Sequence, residues 1–197
     1  MIIIGAGSLG IQICDQLLVN GHKKEHILFF DEKKSVLNNL PDNFNTILGF
    51  NNLTKALKTD NKCFIAVGHP VKRMKLSKKI IDLGGEIHSI KSNASQISNF
   101  AKIGYGYYFQ PGVCIAHNVK IGHMSVIHAN SIISHDVEIG DFASISQNVN
   151  IMKNVIIGQY CFIGANVVIM PNVKIGNRVL IPACSIVNQN LEDYSTL

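Results

Sequence analysis

The chain has no CxxC pair; its five cysteines, Cys14, Cys63, Cys114, Cys161 and Cys184, are scattered and odd in number. That argues against a disulfide framework and for a reduced, intracellular protein with buried thiols. No stretch approaches the ~20 apolar residues of a membrane span, so no membrane insertion is expected. The opening residues MIII pass straight into a glycine turn instead of a longer apolar segment, so a secretory signal is not expected and the protein is placed in the cytoplasm. Charge is sparse as well. At 16 % charged residues and net +5, the chain is too mildly basic for a nucleic-acid partner, though it suits anionic small molecules. What is present is apolar: 47 % hydrophobic residues with a mean hydropathy of +0.20, enough for a substantial core within 197 residues.

That apolar content is distributed with a period. From Ile97 to Val187 an apolar residue falls on every sixth position without a break, and four residues after each comes a second apolar or small one, such as Val113, Ser131, Ala143, Cys161 or Val173. Neither a helical period nor plain alternation gives that spacing. It predicts a parallel β-helix of hexapeptides, three to a triangular coil, with coils stacked about 4.8 Å apart. A β-sandwich would need irregular strand lengths and loops, and one inserted residue would destroy the phase. Gly104, Gly122, Gly140, Gly158, Gly164 and Gly176 follow the isoleucine column directly and are expected to turn the chain with positive φ.

The first ninety residues read differently. Residues 2–10, IIIGAGSLG, predict a buried strand, a glycine loop and a helix running to about Asn20. Further strands are expected over 27–30, 63–67 and 86–90, with a short helix over 53–57 and a basic one from 71 to about 83. Strands alternating with helices imply a small parallel sheet, a Rossmann-like α/β half-domain of residues 1–92 before a β-helix domain of 93–197. The GxGxxG spacing of Gly5, Gly7 and Gly10, with Asp31 ending the second strand, fits a nucleotide moiety at a helix N-terminus. The alternative is a glycine turn that only packs strand against helix. A full dinucleotide fold needs two such halves, and there is room for little more than one. The lysines around Arg73 either meet phosphates or form a solvated helix face.

On the coil, residues 18 apart stack, and one outward column reads Asn99, His117, His135, Lys153, Pro171, Gln189. Asp136 follows His135 directly. A histidine beside a carboxylate on a rigid rung has the makings of an oriented general base.

The segments GAGSLG, FFDE and IAVGHPVKR, followed by hexapeptides containing SHDVEIGDFASIS, resemble the NeuD/PglD-type acetyltransferases, hexapeptide-repeat enzymes that modify sugars or nucleotide-linked aminosugars with acetyl-CoA. The resemblance covers nearly the whole chain. It implies a left-handed β-helix, a homotrimer with active sites between neighbouring β-helices, and a place in surface-glycan biosynthesis. It makes His135 the base, with Asp136 behind it, in direct N-acetylation of a nucleotide-linked aminosugar. It assigns the nucleotide-sugar to Gly5, Gly7, Gly10, Asp31 and Glu32, with Gly68 and Arg73 beside them. Acetyl-CoA, the co-substrate, is expected along the outer coils, near Ser144, Lys153, Ala165 and Ala183. Within the family the alternative is an O-acetyltransferase of sialic acid or another sugar; outside it, a nucleotide-sugar-binding trimer impaired in catalysis. A zinc site of the γ-type carbonic anhydrase kind would need a third histidine beside His123 and His128, and His88 precedes the coil, so no metal is expected.

Overall fold

The computed structural model describes residues 1–41 and 43–197. The chain forms two compact units, Met1–Gly68 with Lys72–Ile90, and Lys91–Leu197 with His69–Val71.

The first unit holds a five-stranded parallel sheet in the order β3-β2-β1-β4-β5. Its elements are β1 (Ile2–Ile4), α1 (Ser8–Val19), β2 (Leu28–Asp31), α2 (Lys34–Leu37), β3 (Asn45–Leu48), α3 (Phe50–Leu57), β4 (Lys62–Ile65), α4 (Pro70–Asp82) and β5 (Glu86–Ile87). The central strand β1 is buried throughout, as a parallel strand covered on both faces must be, which is why it reads as an unbroken apolar run. It pairs with β2 at Ile3–Phe29 and with β4 at Ile3–Phe64. Pro70 opens α4, where its missing N–H costs nothing. Two expectations need correction. An edge strand, β3, lies between the strand ending in Asp31 and α3, where none was expected, and the strand expected over 86–90 divides. Glu86–Ile87 stays in this sheet, while Ile90–Lys91 joins a sheet of the coil.

The second unit is a β-helix. Two-residue strands 18 positions apart pair in parallel register, as in Cys114–Ile132–Asn150 and Lys120–Glu138–Ile156, and build three sheets. The column from Phe109 and Ile115 to Ile181 and Val187 fills the interior at no more than 4 % exposure, with Val113, Val137, Ala143, Val149 and Cys161 filling the corners between.

The corners turn by a different device from the one expected. The glycines after the isoleucine column do not have positive φ. The left-handed place lies two residues further on in the hexapeptide, held by Asn118, Asn130, Asn148, Asn154, Asn166 and Asn172, by Asp136, and by Met124, Phe142, Tyr160, Arg178 and Cys184, at φ of 56–65°. Asn and Asp tolerate this region better than other side chains. The glycines are there for want of room. A Cβ on Gly104 would lie 2.7 Å from the His123 nitrogen, and one on Gly164 2.4 Å from that of Ala183.

Candidate active site

Two successive coils bring His117, Asn118, His135 and Asp136 together on one corner. His135 leaves the strand Ile132–Ile133, and Asp136 takes the left-handed place at φ +61° before Val137 turns back into the core. The two side chains meet at 2.6 Å, His135 Nδ1 against Asp136 Oδ2. An ionised carboxylate only accepts, so Nδ1–H donates and the lone pair is left on Nε2. The other carboxylate oxygen, Oδ1, accepts a hydrogen bond from Asn118 Nδ2 one coil earlier. That amide first, and the His135 imidazole second, hold the Asp136 carboxyl below the usual carboxylate range. The ring of His117 lies flat on that of His135, with centroids 5.2 Å apart and planes 5° apart. With side-chain exposures of 42 % and 39 %, His135 and Asp136 are open to an incoming substrate. The arrangement can take a proton at a defined atom from a group approaching the corner.

Lys153 stands exposed one coil beyond His135, where the Asn154 N–H reaches the His135 carbonyl at 3.4 Å. Ala165 and Ala183 lie on another corner, linked through the Cys184 N–H to the Ala165 carbonyl at 2.8 Å. Within one chain, then, Lys153 and the two alanines do not form one surface. Ser144 needs correction as an open coenzyme contact: it sits in the strand Ser144–Ile145 between Val126 and Phe162, and is 2 % exposed.

In the first unit, Gly5, Asp31 and Glu32 line a cleft of about 220 Å³ with Phe30, Lys33, Val67 and Leu76. Gly5, at φ +109°, leaves a Cβ only 2.9 Å from the Ala66 carbonyl, and a Cβ on Gly10 would strike the Gly5 carbonyl at 2.2 Å. These two glycines are therefore needed by the fold itself. Gly7 differs: nothing lies within 4 Å of its Cβ position, and it caps α1 without a side-chain bond. Asp31 accepts the N–H groups of Ala6 at 3.1 Å and Lys33 at 3.0 Å, which ties the end of β2 to the glycine loop. Arg73 is fully buried, and its Nη1 donates to the carbonyls of Val67 at 2.8 Å and Gly68 at 2.7 Å. Burial pulls the guanidinium down to about 9. The expected direct contact between Arg73 and a substrate is thus corrected to a brace under the loop after β4. Of the basic residues beside it, Lys79 covers the Phe50 ring at 3.2 Å.

Residues 1–80 match the family described as PglD N-terminal domain, and residues 154–189 match the bacterial transferase hexapeptide (six repeats). The first unit thus carries a PglD N-terminal domain, and the coil carries a bacterial transferase hexapeptide segment. No curated protein matches the chain. Among solved structures, the chain is similar to a histidine variant of the perosamine N-acetyltransferase of Caulobacter crescentus in complex with CoA and GDP-perosamine. The two are 22 % identical over 99 % of this chain and 91 % of that one, with a TM-score of 0.87. WeeI of Acinetobacter baumannii is 22 % identical over 99 % and 94 %, with a TM-score of 0.89. The acetyltransferase domain of PglB of Neisseria gonorrhoeae, in complex with acetyl coenzyme A, is 20 % identical over 99 % and 93 %, with a TM-score of 0.87. The likeness at these identities is one of fold.

Sequence reasoning singled out His135 and Asp136 and set His117 in the same column, but missed the Asn118 amide. The signal was there to be read: residues 116–122, AHNVKIG, and 134–140, SHDVEIG, are near-copies one coil apart.

Proposed function

We propose that this PglD-type chain is an acetyl-CoA-dependent acetyltransferase that N-acetylates a nucleotide-linked aminosugar by direct transfer. The observation that carries the reading is the His135–Asp136 pair, set with a fixed tautomer on an open corner of a hexapeptide coil. The neutral acceptor amine attacks the thioester carbonyl, forming the C–N bond. His135 Nε2 takes the amine proton as that bond forms, and Asp136 stabilises the resulting imidazolium. The carbon–sulfur bond then breaks, and the CoA thiolate leaves and takes up the proton. No cysteine sits in the His135 column, so a covalent acyl-enzyme is not required.

The nucleotide is assigned to the cleft at Gly5, Asp31 and Glu32, with Gly7 and the N–H groups opening α1 toward phosphate. Acetyl-CoA is assigned to the coil, with Lys153 of one copy and Ala165 and Ala183 of the next on either side of it. That assignment requires a homotrimer, since one chain keeps these residues on separate corners. The complexes of the Caulobacter and Neisseria proteins with CoA and acetyl-CoA support the co-substrate, and GDP-perosamine in the former supports the acceptor class. A cytoplasmic role in building surface polysaccharide follows from such an acceptor.

The test is to incubate the protein with acetyl-CoA and a panel of UDP-, TDP- and GDP-aminosugars while following free thiol. Thiol release that His135→Ala abolishes supports the reading. Nucleotide-sugar binding without thiol release makes the chain a binding module instead, and turnover only with a hydroxyl acceptor makes it an O-acetyltransferase. Sedimentation of the same sample checks the trimer.

A further inference from the structure

The left-handed place on the His135 corner forms its own column, Asn118, Asp136, Asn154 and Asn172, in which only residue 136 is charged. The near-copies AHNVKIG and SHDVEIG thus set a histidine–asparagine corner directly before a histidine–aspartate one. Their other charge difference, Lys120 against Glu138, closes as an ion pair at 2.6 Å. Asn118 sits at φ +56° and directs its amide along the stack, onto Asp136 Oδ1.

The consequence is geometric. The Asp136 side chain is 39 % exposed, and a carboxylate with that freedom would rotate toward water. With Oδ1 held by Asn118, the carboxylate plane is fixed, and Oδ2 stays 2.6 Å from His135 Nδ1. Fixing Oδ2 also fixes the imidazole tautomer, since only an Nδ1–H can face it.

We propose that Asn118 is a positioning residue for the His135–Asp136 pair, acting through the Asp136 carboxylate without touching the substrate. Its effect on turnover rests on the acetyltransferase reading above; its effect on the imidazole does not. The competing explanation is that the amide merely staples two coils. The same column supplies the control, because Asn154 Nδ2 donates to Asn172 Oδ1 at 3.0 Å, and neither asparagine follows a histidine in the chain.

The experiment compares Asn118→Gly with Asn172→Gly in the full chain, because glycine removes the amide yet accepts the left-handed backbone. Two readouts are taken: kcat and KM with acetyl-CoA and the aminosugar, and the ¹⁵N NMR signature of the His135 ring. Asn118→Gly is expected to lower kcat about tenfold, the low end for losing the oxygen partner behind a working imidazole. KM should not change, and the ring should pass from a single Nδ1–H form to a mixture of tautomers. Asn172→Gly is expected to change neither. Asn118→Asp has the same shape and tolerates the same φ, but it offers an acceptor where a donor is needed. It should disturb the tautomer likewise, which keeps the test decisive if glycine unfolds the corner. A single retained tautomer in both Asn118 variants, or an equal loss in Asn172→Gly, overturns the proposal. If the wild-type chain transfers no acetyl group, the transferase reading fails and the NMR comparison alone decides the role of Asn118.

Discussion

The carboxylate of Asp141 reaches back one coil to accept the backbone N–H of His123 at 2.7 Å. At the same corner a Cβ on Gly122 would lie 2.5 Å from the Asp141 backbone nitrogen. Backbone on both sides cannot step away without breaking the ladder. Gly122→Ala is therefore expected to destabilise the coil by about 1–3 kcal/mol, the usual penalty for forcing atoms into a packed site. Urea denaturation measures it. Gly7→Ala is the contrasting case: with open space at its Cβ and a negative φ, it should melt as wild type while weakening nucleotide-sugar affinity.

Asp136→Asn separates charge from shape. The new side chain still accepts the Asn118 amide through Oδ1, so the stack should keep its melting temperature. The atom facing His135 Nδ1 becomes an NH₂ donor, which forces the imidazole to carry its proton on Nε2. No base then faces the substrate. A fall in kcat on the order of 10²–10⁴ is expected, the range over which a positioned general base acts. Unaltered turnover in this variant would remove Asp136 from the mechanism.

The thiols should divide by burial. Burial pushes Cys63 up to about 12 and Cys14 up to about 11, and it raises Cys161, whose Sγ lies 3.1 Å from the Gly176 carbonyl. A protonated, enclosed thiol is a poor nucleophile. An aromatic disulfide reagent on the native protein is expected to label exposed Cys184 first and half-buried Cys114 more slowly. Cys14, Cys63 and Cys161 should react only when the chain unfolds. Mass mapping of the labelled peptides reads the order.

Acid should loosen the coil in a definable window. Asp136 is held below its ordinary range by Asn118 and then His135, and Asp193 by the backbone and then the side chain of Asn177. A carboxylate depressed in the folded state stabilises that state above its unfolded value of about 4, and the contribution is lost as pH falls through the lower folded value. The melting temperature should therefore fall below about pH 4. Asp193→Asn should make that acid slope shallower, because its oxygen still accepts the Asn177 N–H without titrating.

The coil was legible because its interior admits only one phase, so every isoleucine from Ile115 to Ile181 reports the same inward slot. The edge strand β3 was not, because only Ile47 of Asn45–Leu48 is buried and no alternation survives in the sequence. His135 and Asp136 stood out as adjacent letters with known chemistry. Asn118 acts from 18 residues away, and only superposing successive coils brings it beside Asp136. Arg73 looked like one cation among lysines, and nothing in its neighbours' identity foretold a fully buried guanidinium. The glycines were rightly singled out for a wrong reason, since crowding by the next coil and left-handed backbone leave the same residue in a sequence.

Where the dyad sits along the stack has a bearing on its dynamics. Each coil leans only on its neighbours, so opening begins at the two ends and works inward. The strand that carries His135 has two partners on one side of its sheet and three on the other. Fraying from either end must melt intact coils before it disturbs that corner. Amide exchange should accordingly be slowest from about residue 133 to 151, which leaves a water-exposed imidazole mounted on the stillest backbone in the domain.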